Sequence, residues 1–377
     1  MIKNRPVLAL FFELNGSLKL WNSVGFLERE IALYNRLAKE YFEKIYFFTY
    51  GDTTDFEFQG RLEPNIIIIP LKKKPGSFFR AFLHELTIPL THYSTLKQCD
   101  IIKTNQNSGA VAASITKIFF PKKILVARSG YIGSELAKRE HLSFVIHSYY
   151  LIAELLAYSL ANKILIPTAE NAEILSQKYP FFKKKITIHN NYIDTKLFQN
   201  THDQPKKYDI IYVGRMSRDK NHQAILQATK NSRIHILFIG DGPEKTALLD
   251  LAHRLNISFT HFASIPNNQL PQYYNQTKIC VFPSLHEGNP KALLEAMACE
   301  LPIIGLNVPG VSTIIENEKN GILTDEKTLE ENITSLLSNT EQWDRLGKNA
   351  RKTVLRDFSF EQILTQEENI YTTLLNL

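Results

Sequence analysis

Residues 281–310 read VFPSLHEGNPKALLEAMACELPIIGLNVPG. An apolar strand, Ile279–Pro283, runs into a polar loop at Ser284–Pro290, a helix begins near Pro290, and a second strand follows at Pro302–Gly305. Strand, crossover helix and strand in this order build a parallel sheet. Proline suits the first turn of a helix, and glycine at 288 lets the backbone approach a ligand closely. The free N–H groups at such a helix start, reinforced by its dipole, favour an anion. Glu287 stands in the loop and Glu295 about one and a half turns inside the helix. Two carboxylates beside an anion site would repel a phosphate, so their expected partners are hydroxyl groups, such as those of a sugar and a ribose flanking a diphosphate.

The same alternation extends outward in both directions. In the first half the strand candidates are Val7–Glu13, Lys44–Tyr50, Asn65–Leu71, Asp100–Thr104, Ile124–Arg128, Lys163–Pro167 and Ile186–His189. Helical periodicity separates most of them, clearest at Phe26–Tyr41 and Tyr150–Ala161. The strands are rich in Ile, Val and Phe, as strands covered on both faces are. Residues 192–207 are polar, include Asp203-Gln204-Pro205, and read as a linker. Beyond it come strands Tyr208–Val213, Ile234–Gly240 and Ser258–Phe262, and the chain closes on helices Leu329–Leu337, Thr340–Leu355 and Phe360–Leu375. A length of 377 residues fits two such α/β domains. The boundaries expected are 1–191 for the first domain, 192–207 for the linker, 208–357 for the second, and 358–377 for a helix returning to the first.

Taken together, these segments resemble the retaining glycosyltransferases of family 4, which have the two-Rossmann-domain GT-B architecture. Glu287 and Glu295 match that family's pair of glutamates with seven residues between, in the Gly288-Asn289-Pro290 context. Tyr212–Asn221 resembles the strand-turn bearing a phosphate-binding Arg and Lys, here Arg215 and Lys220 after Gly214. Ile239–Pro243, His189–Phe198, Pro309-Gly310 and Asn320–Leu323 resemble further family segments, and the likeness is dense from about 186 to 325 and faint before it. The resemblance implies two Rossmann-like α/β domains facing a central cleft. The second domain would bind a nucleoside-diphosphate sugar, a uridine diphosphate being preferred to a guanosine one, and the first a glycan or lipid-linked acceptor. Glu295 would hold the ribose, Glu287 the sugar hydroxyls, and Arg215 and Lys220 the diphosphate. Gly288, Asn289, Pro290 and Lys291 would support sugar or phosphate.

The chemistry of these positions is coherent in itself. Arg offers a planar fork and Lys a point charge to a diphosphate. Cations and helix N–H groups stabilise a leaving phosphate more in the transition state than in the ground state. Taken singly, each has a plainer reading: Arg215 and Lys220 as surface charges, Gly240-x-Gly242 as a turn, Glu295 as a solvated helix residue.

The first half departs from the family. Where a Gly-Gly turn is usual, the chain has Val24-Gly25 after a long loop, in which Gly16, Ser17, Lys19 and Gly25 are candidates for phosphate or acceptor contact. Where many members carry a His, Arg128-Ser129-Gly130 stands instead. Arg128 is a candidate for the leaving group or an anionic sugar or acceptor. Retention can proceed by same-face attack, the departing phosphate oxygen taking the acceptor's proton. No carboxylate suggests itself as nucleophile for a double displacement, and no Asp-x-Asp occurs, so metal independence and no cofactor are expected. A nucleotide-sugar epimerase and a nucleotide-binding relative without transferase activity are the alternatives. A dehydrogenase is disfavoured because the first strand-turn lacks Gly-x-Gly-x-x-Gly.

Cys99, Cys280 and Cys299 form no CxxC pair, which points to a reducing, cytoplasmic setting. No run approaches the roughly 20 apolar residues that span a bilayer. The net charge of +6 is uneven: residues 1–200 hold 26 Lys/Arg against 17 Asp/Glu. Lys72–Lys74 and Lys183–Lys185, beside Pro and Phe, are either a solvated face or a surface drawn to anionic lipid at the inner face of the membrane. Nothing reads as a nucleic-acid motif. The expected role is polysaccharide biosynthesis, of lipopolysaccharide or capsule.

Overall fold

The computed structural model describes residues 5–25, 27–71, 78–106, 109–139, 141–201 and 204–376. Phe26, the Lys72–Lys74 cluster and Asp203 lie outside the described residues. The chain divides into two compact units, one of Met1–His189 with Leu364–Leu377 and one of Asn190–Ile363. The helix Phe360–Leu375 is thus shared between them.

Among the described residues, the first unit holds seven parallel strands: β1 (Val7–Phe11), β2 (Lys44–Thr49), β3 (Ile66–Pro70), β4 (Ile101–Thr104), β5 (Ile124–Arg128), β6 (Lys163–Ile166) and β7 (Ile186–Ile188). Their order is β3-β2-β1-β4-β5-β6-β7. The described residues of the second hold six: β8 (Tyr208–Val213), β9 (His235–Ile239), β10 (Ser258–Phe262), β11 (Thr277–Phe282), β12 (Ile303–Leu306) and β13 (Ile322–Thr324), ordered β10-β9-β8-β11-β12-β13. Every strand pair is parallel. In both sheets the order reverses beside the first strand, the place where open α/β sheets bind ligands at the strands' C-terminal ends.

The second sheet shows why its central strands are mostly apolar. Ile211, Leu237, Cys280 and Ile303 enter one core, while Ile210, Tyr212, Ile236 and Ile279 enter another. Successive side chains point to opposite faces, and helices cover both. The stretch from Ile193 to Phe198 is fastened to this unit. Ile193 and Phe198 are buried in its core, and Arg351 donates to the carbonyls of Thr195 at 3.1 Å and Phe198 at 2.9 Å. Strand β13 was not expected; Asn320-Gly321 before it makes the sequence read there as a late turn.

Candidate donor-binding site

The turns after β8 and β9 lie directly against each other. Gly214 N donates to Ile239 O at 3.0 Å, Met216 N to Asp241 O at 2.9 Å, and Glu244 N to Met216 O at 3.0 Å. Gly240 has φ +151°, and a Cβ there would lie 1.9 Å from Gly214 O. Glycine is required at 240 for that approach. It leaves Arg215 exposed at the strand ends, with no side-chain partner among the described residues. The chain then makes a short 3-10 turn, Arg218–Lys220, and Asn221 enters the left-handed region at φ 50° before the helix His222–Thr229.

Asp219 in that turn anchors the neighbouring loop. Burial pushes its carboxyl up, but the Ser217 hydroxyl at 2.6 Å and the Lys220 ammonium hold it below the usual range. Its backbone carbonyl accepts from Leu285 N at 2.8 Å, which fixes the loop after β11 to the turn after β8. This brings Lys220 Nζ to 2.7 Å from Glu287 Oε1, with both side chains largely buried. On the other side of Glu287, Gly310 has φ +81°, and a Cβ there would lie 2.2 Å from Glu287 O.

The helix behind the loop begins at Lys291, and Pro290 is the residue that caps it, so the expected start is shifted by one. Pro290 has no side-chain group to satisfy the helix N–H groups behind it. Gly288 and Asn289 are half-buried. A Cβ at Gly288 would meet nothing within 4 Å, so the fold itself does not demand glycine there. Glu295 is buried in the helix. Tyr274 Oη donates to its Oε2 at 3.3 Å and Asn267 Nδ2 to its Oε1 at 3.5 Å. Burial, then the Glu295 charge, pushes the Tyr274 hydroxyl far up, so it stays a donor.

The structure adds His222, which the sequence did not single out. Its ring is buried edge-on against Tyr212 at 4.4 Å, and burial pulls its pKa down to about 4. It lines a cavity of about 350 Å³ with Ser217, Arg218, Asn221, Glu244 and Leu285. Its Nε2 has no hydrogen-bond partner among the described residues. Asp219 and Tyr274 were likewise missed; each acts by holding a motif residue, which no motif records.

The candidates in the first unit are held differently. Gly16 N donates to Glu13 O at 2.7 Å. Ser17 caps the helix Leu18–Ser23, its hydroxyl accepting from Leu20 N at 3.0 Å. Lys19 has an exposed side chain and a backbone N–H bonded to Asp55 Oδ1 at 3.1 Å. Gly25 is exposed with φ +74°. Arg128 is half-buried, its Nη1 donating to Asn105 Oδ1 at 3.1 Å. Asn105 Nδ2 in turn donates to Glu13 Oε2 at 3.1 Å, and Trp21 Nε1 to Glu13 Oε1 at 3.0 Å. Glu13 and Asn105 thus tie the loop after β1 to the end of β5. All three cysteines are buried and free, and the described residues include no cluster of His, Cys, Asp and Glu suited to a metal.

Residues 194–353 match the family model of glycosyl transferases group 1. Among curated proteins, the chain is similar to the capsular polysaccharide biosynthesis glycosyltransferase CapM of Staphylococcus aureus, with 27% identity over 205 residues. That alignment covers 51% of this chain and 52% of CapM. It is also similar to N-acetyl-α-D-glucosaminyl L-malate synthase of Bacillus anthracis, with 26% identity over 228 residues, 56% of this chain and 60% of that protein. The matches therefore span between half and two thirds of these relatives' length. Among solved structures, HepE of Anabaena in complex with UDP and glucose has TM-score 0.73 at 17% identity, covering 99% of this chain and 100% of that one. Sucrose-phosphate synthase of Thermosynechococcus elongatus has TM-score 0.73 at 19% identity, covering 99% and 100%. The fold, two parallel-sheet Rossmann-like units, is that of GT-B glycosyltransferases.

Proposed function

We propose that this chain is a GT-B glycosyltransferase that moves a sugar from a nucleoside diphosphate to a cell-surface glycan or lipid-linked acceptor, with retention and without a metal. The observation that carries the reading is the Lys220–Glu287 pair, with the exposed Arg215 five residues before Lys220 in the same turn after β8. In the free protein Glu287 neutralises Lys220. A diphosphate drawn to Arg215 competes for the same ammonium, and Glu287 is then released to accept from sugar hydroxyls. Binding the donor would thereby complete the sugar site, and the two cations would stabilise the leaving phosphate as charge builds on it.

Glu295 suits the ribose because Tyr274 and Asn267 hold its carboxylate in place and a carboxylate is a fitting acceptor for a diol. The first unit takes the acceptor in this reading, with Arg128 reserved for an anionic group on donor or acceptor. Retention follows from same-face attack, in which the leaving phosphate oxygen takes the acceptor's proton.

The relatives' names favour this chemistry: a capsule glycosyltransferase and a synthase that joins N-acetylglucosamine to malate. A thermal-shift panel of UDP, GDP, ADP and CMP with and without EDTA tests the donor site. A nucleotide at a hundred times its dissociation constant adds about 2.7 kcal/mol. One nucleotide raising the melt regardless of EDTA supports the reading; failure of all four removes it. Transfer from the matching nucleotide sugar, with product anomeric configuration read by NMR, tests retention.

A further inference from the structure

The helix Phe144–Leu160 buries Ala157 and Tyr158 in the core of the first sheet and Tyr149 and Ala153 against Val111 and Ile115 of the helix Ala110–Phe119, and its one carboxylate, Glu154, is buried, accepting from Ser134 N at 2.9 Å and Ser134 Oγ at 2.6 Å. The opposite face is unusual. Phe144 (85% exposed), Val145 (58%), Ile152 (59%) and Leu155 (48%) fall with Ser148 and Ser159 on one outward stripe. A helix face turned to water is normally polar. This one carries no Lys, Arg, Asp or Glu.

Positive charge collects where that helix ends. Lys185 Nζ donates to Tyr158 O at 3.1 Å and Ser159 O at 2.8 Å. The turn Pro180–Lys185 places Phe181 (94% exposed) beside exposed Lys183 and Lys184. The helix Ala110–Phe119 packs against Phe144–Leu160 and ends in exposed Ile118 and Phe119, shortly before exposed Lys122. Lys117 on that helix lies close enough to Lys185 to feel its charge. Lys122, Lys183 and Lys184 have no ion-pair partner among the described residues.

We propose that the outer face of Phe144–Leu160, with the Phe181–Lys184 turn, is a docking surface for an anionic lipid bilayer. The stripe would enter the boundary between headgroups and acyl chains, and the lysines would meet lipid phosphates. No helix among the described residues is long and apolar enough to cross a membrane, so this contact would lie along the surface. A second copy of the chain is the other occupant an apolar stripe invites. Charge argues against it, because a twofold contact would set this lysine-rich corner against similar charge. The surface stands on the first unit alone and extends the lipid-linked acceptor reading, which gives the enzyme a reason to sit on a membrane.

The test is co-sedimentation of the full chain with vesicles of phosphatidylcholine alone or with 30% phosphatidylglycerol, at about 0.1 M and 0.5 M salt. The expected result is binding to the anionic vesicles only, weakened at high salt. Lys183→Glu with Lys184→Glu should lower the partition at least about tenfold, and Phe144→Ser with Phe181→Ser should do the same. Both pairs are exposed, and an unchanged melt would verify their fold. Equal binding to both vesicle types, no binding, or variants that bind like the parent would overturn the proposal. So would a concentration-dependent dimer lost in the apolar variant while vesicle binding persists. Nucleotide thermal shifts in the same samples read the donor site separately, so its failure is not mistaken for this one.

Discussion

Lys220 Nζ and Glu287 Oε1 meet at 2.7 Å across 67 residues of sequence, and the backbone bond from Leu285 N to Asp219 O holds their two loops together. Each side chain is therefore the other's charge partner.

That mutual occupancy makes opposite predictions for its two members. Glu287→Ala should leave nucleoside-diphosphate affinity unchanged or tighter, because it releases Lys220, yet lower kcat for sugar transfer by about 100-fold or more. Lys220→Ala should weaken the diphosphate itself, by about 10- to 100-fold. Calorimetry with UDP set beside initial rates separates the two. Equal loss of nucleotide binding in both variants would show that the pair is only a structural ion pair.

Two glycines of the site divide by cause. At Gly240 a Cβ would strike a backbone carbonyl at 1.9 Å and φ is +151°; at Gly288 a Cβ meets open space. Gly240→Ala is expected to cost about 2–4 kcal/mol and lower Tm by several degrees. Gly288→Ala should leave Tm where it is and weaken donor binding, since the space beside it would be the ligand's. A Gly288→Ala protein with a lowered Tm and normal donor affinity would mean this glycine serves the fold.

Much of the fold was legible because strands buried on both faces read as apolar runs: Ile124–Arg128 and Tyr208–Val213 lie where the pattern places them. The motif positions in the second unit were legible as residue types at fixed spacing. Their partners were not. Tyr274 holds Glu295 from another helix, and Asp219 has no signature beyond being a turn residue. Glu13 reads only as an interruption of an apolar run, yet it accepts from both Trp21 and Asn105. Such contacts depend on loops that chain connectivity alone does not bring together.

Lys103 shows the same limit and gives a third prediction. A lysine inside the apolar strand β4 suggests an edge, but it is fully buried and paired with Glu367 at 2.5 Å, 264 residues later. The Tyr34 and Tyr371 rings flank its ammonium at 5.2 and 5.7 Å, and the Tyr371 hydroxyl also donates to Glu367. Removing one partner leaves a buried charge alone, so Glu367→Gln should cost about 3–5 kcal/mol. Lys103→Met with Glu367→Leu should recover most of that loss, measured by urea unfolding. A double variant as unstable as Glu367→Gln would mean that the pair itself contributes net stability.

The last prediction concerns acid. Burial draws both His189 and His222 down to about 4, although Glu367 opposes it at the first and Asp219 at the second. Both folded values lie below the ordinary value near 6.5, so the unfolded chain takes up protons first as pH falls. Their contribution is therefore complete above about pH 6.5 and is lost as pH drops toward 4. From pH 7 to pH 5 the loss is roughly 2 kcal/mol for each histidine. Glu367 does not share this window: Lys103 and His189 overcome its burial and hold it at about 2. Trp21 belongs to the first unit and Trp343 to the second, and they are the chain's two tryptophans, so single Trp→Phe variants report each unit's unfolding. In the Trp21→Phe background, His222→Gln should flatten the pH dependence of the second unit between pH 7 and 5. An unchanged slope would assign the acid sensitivity to another group and leave the depressed state of His222 unsupported.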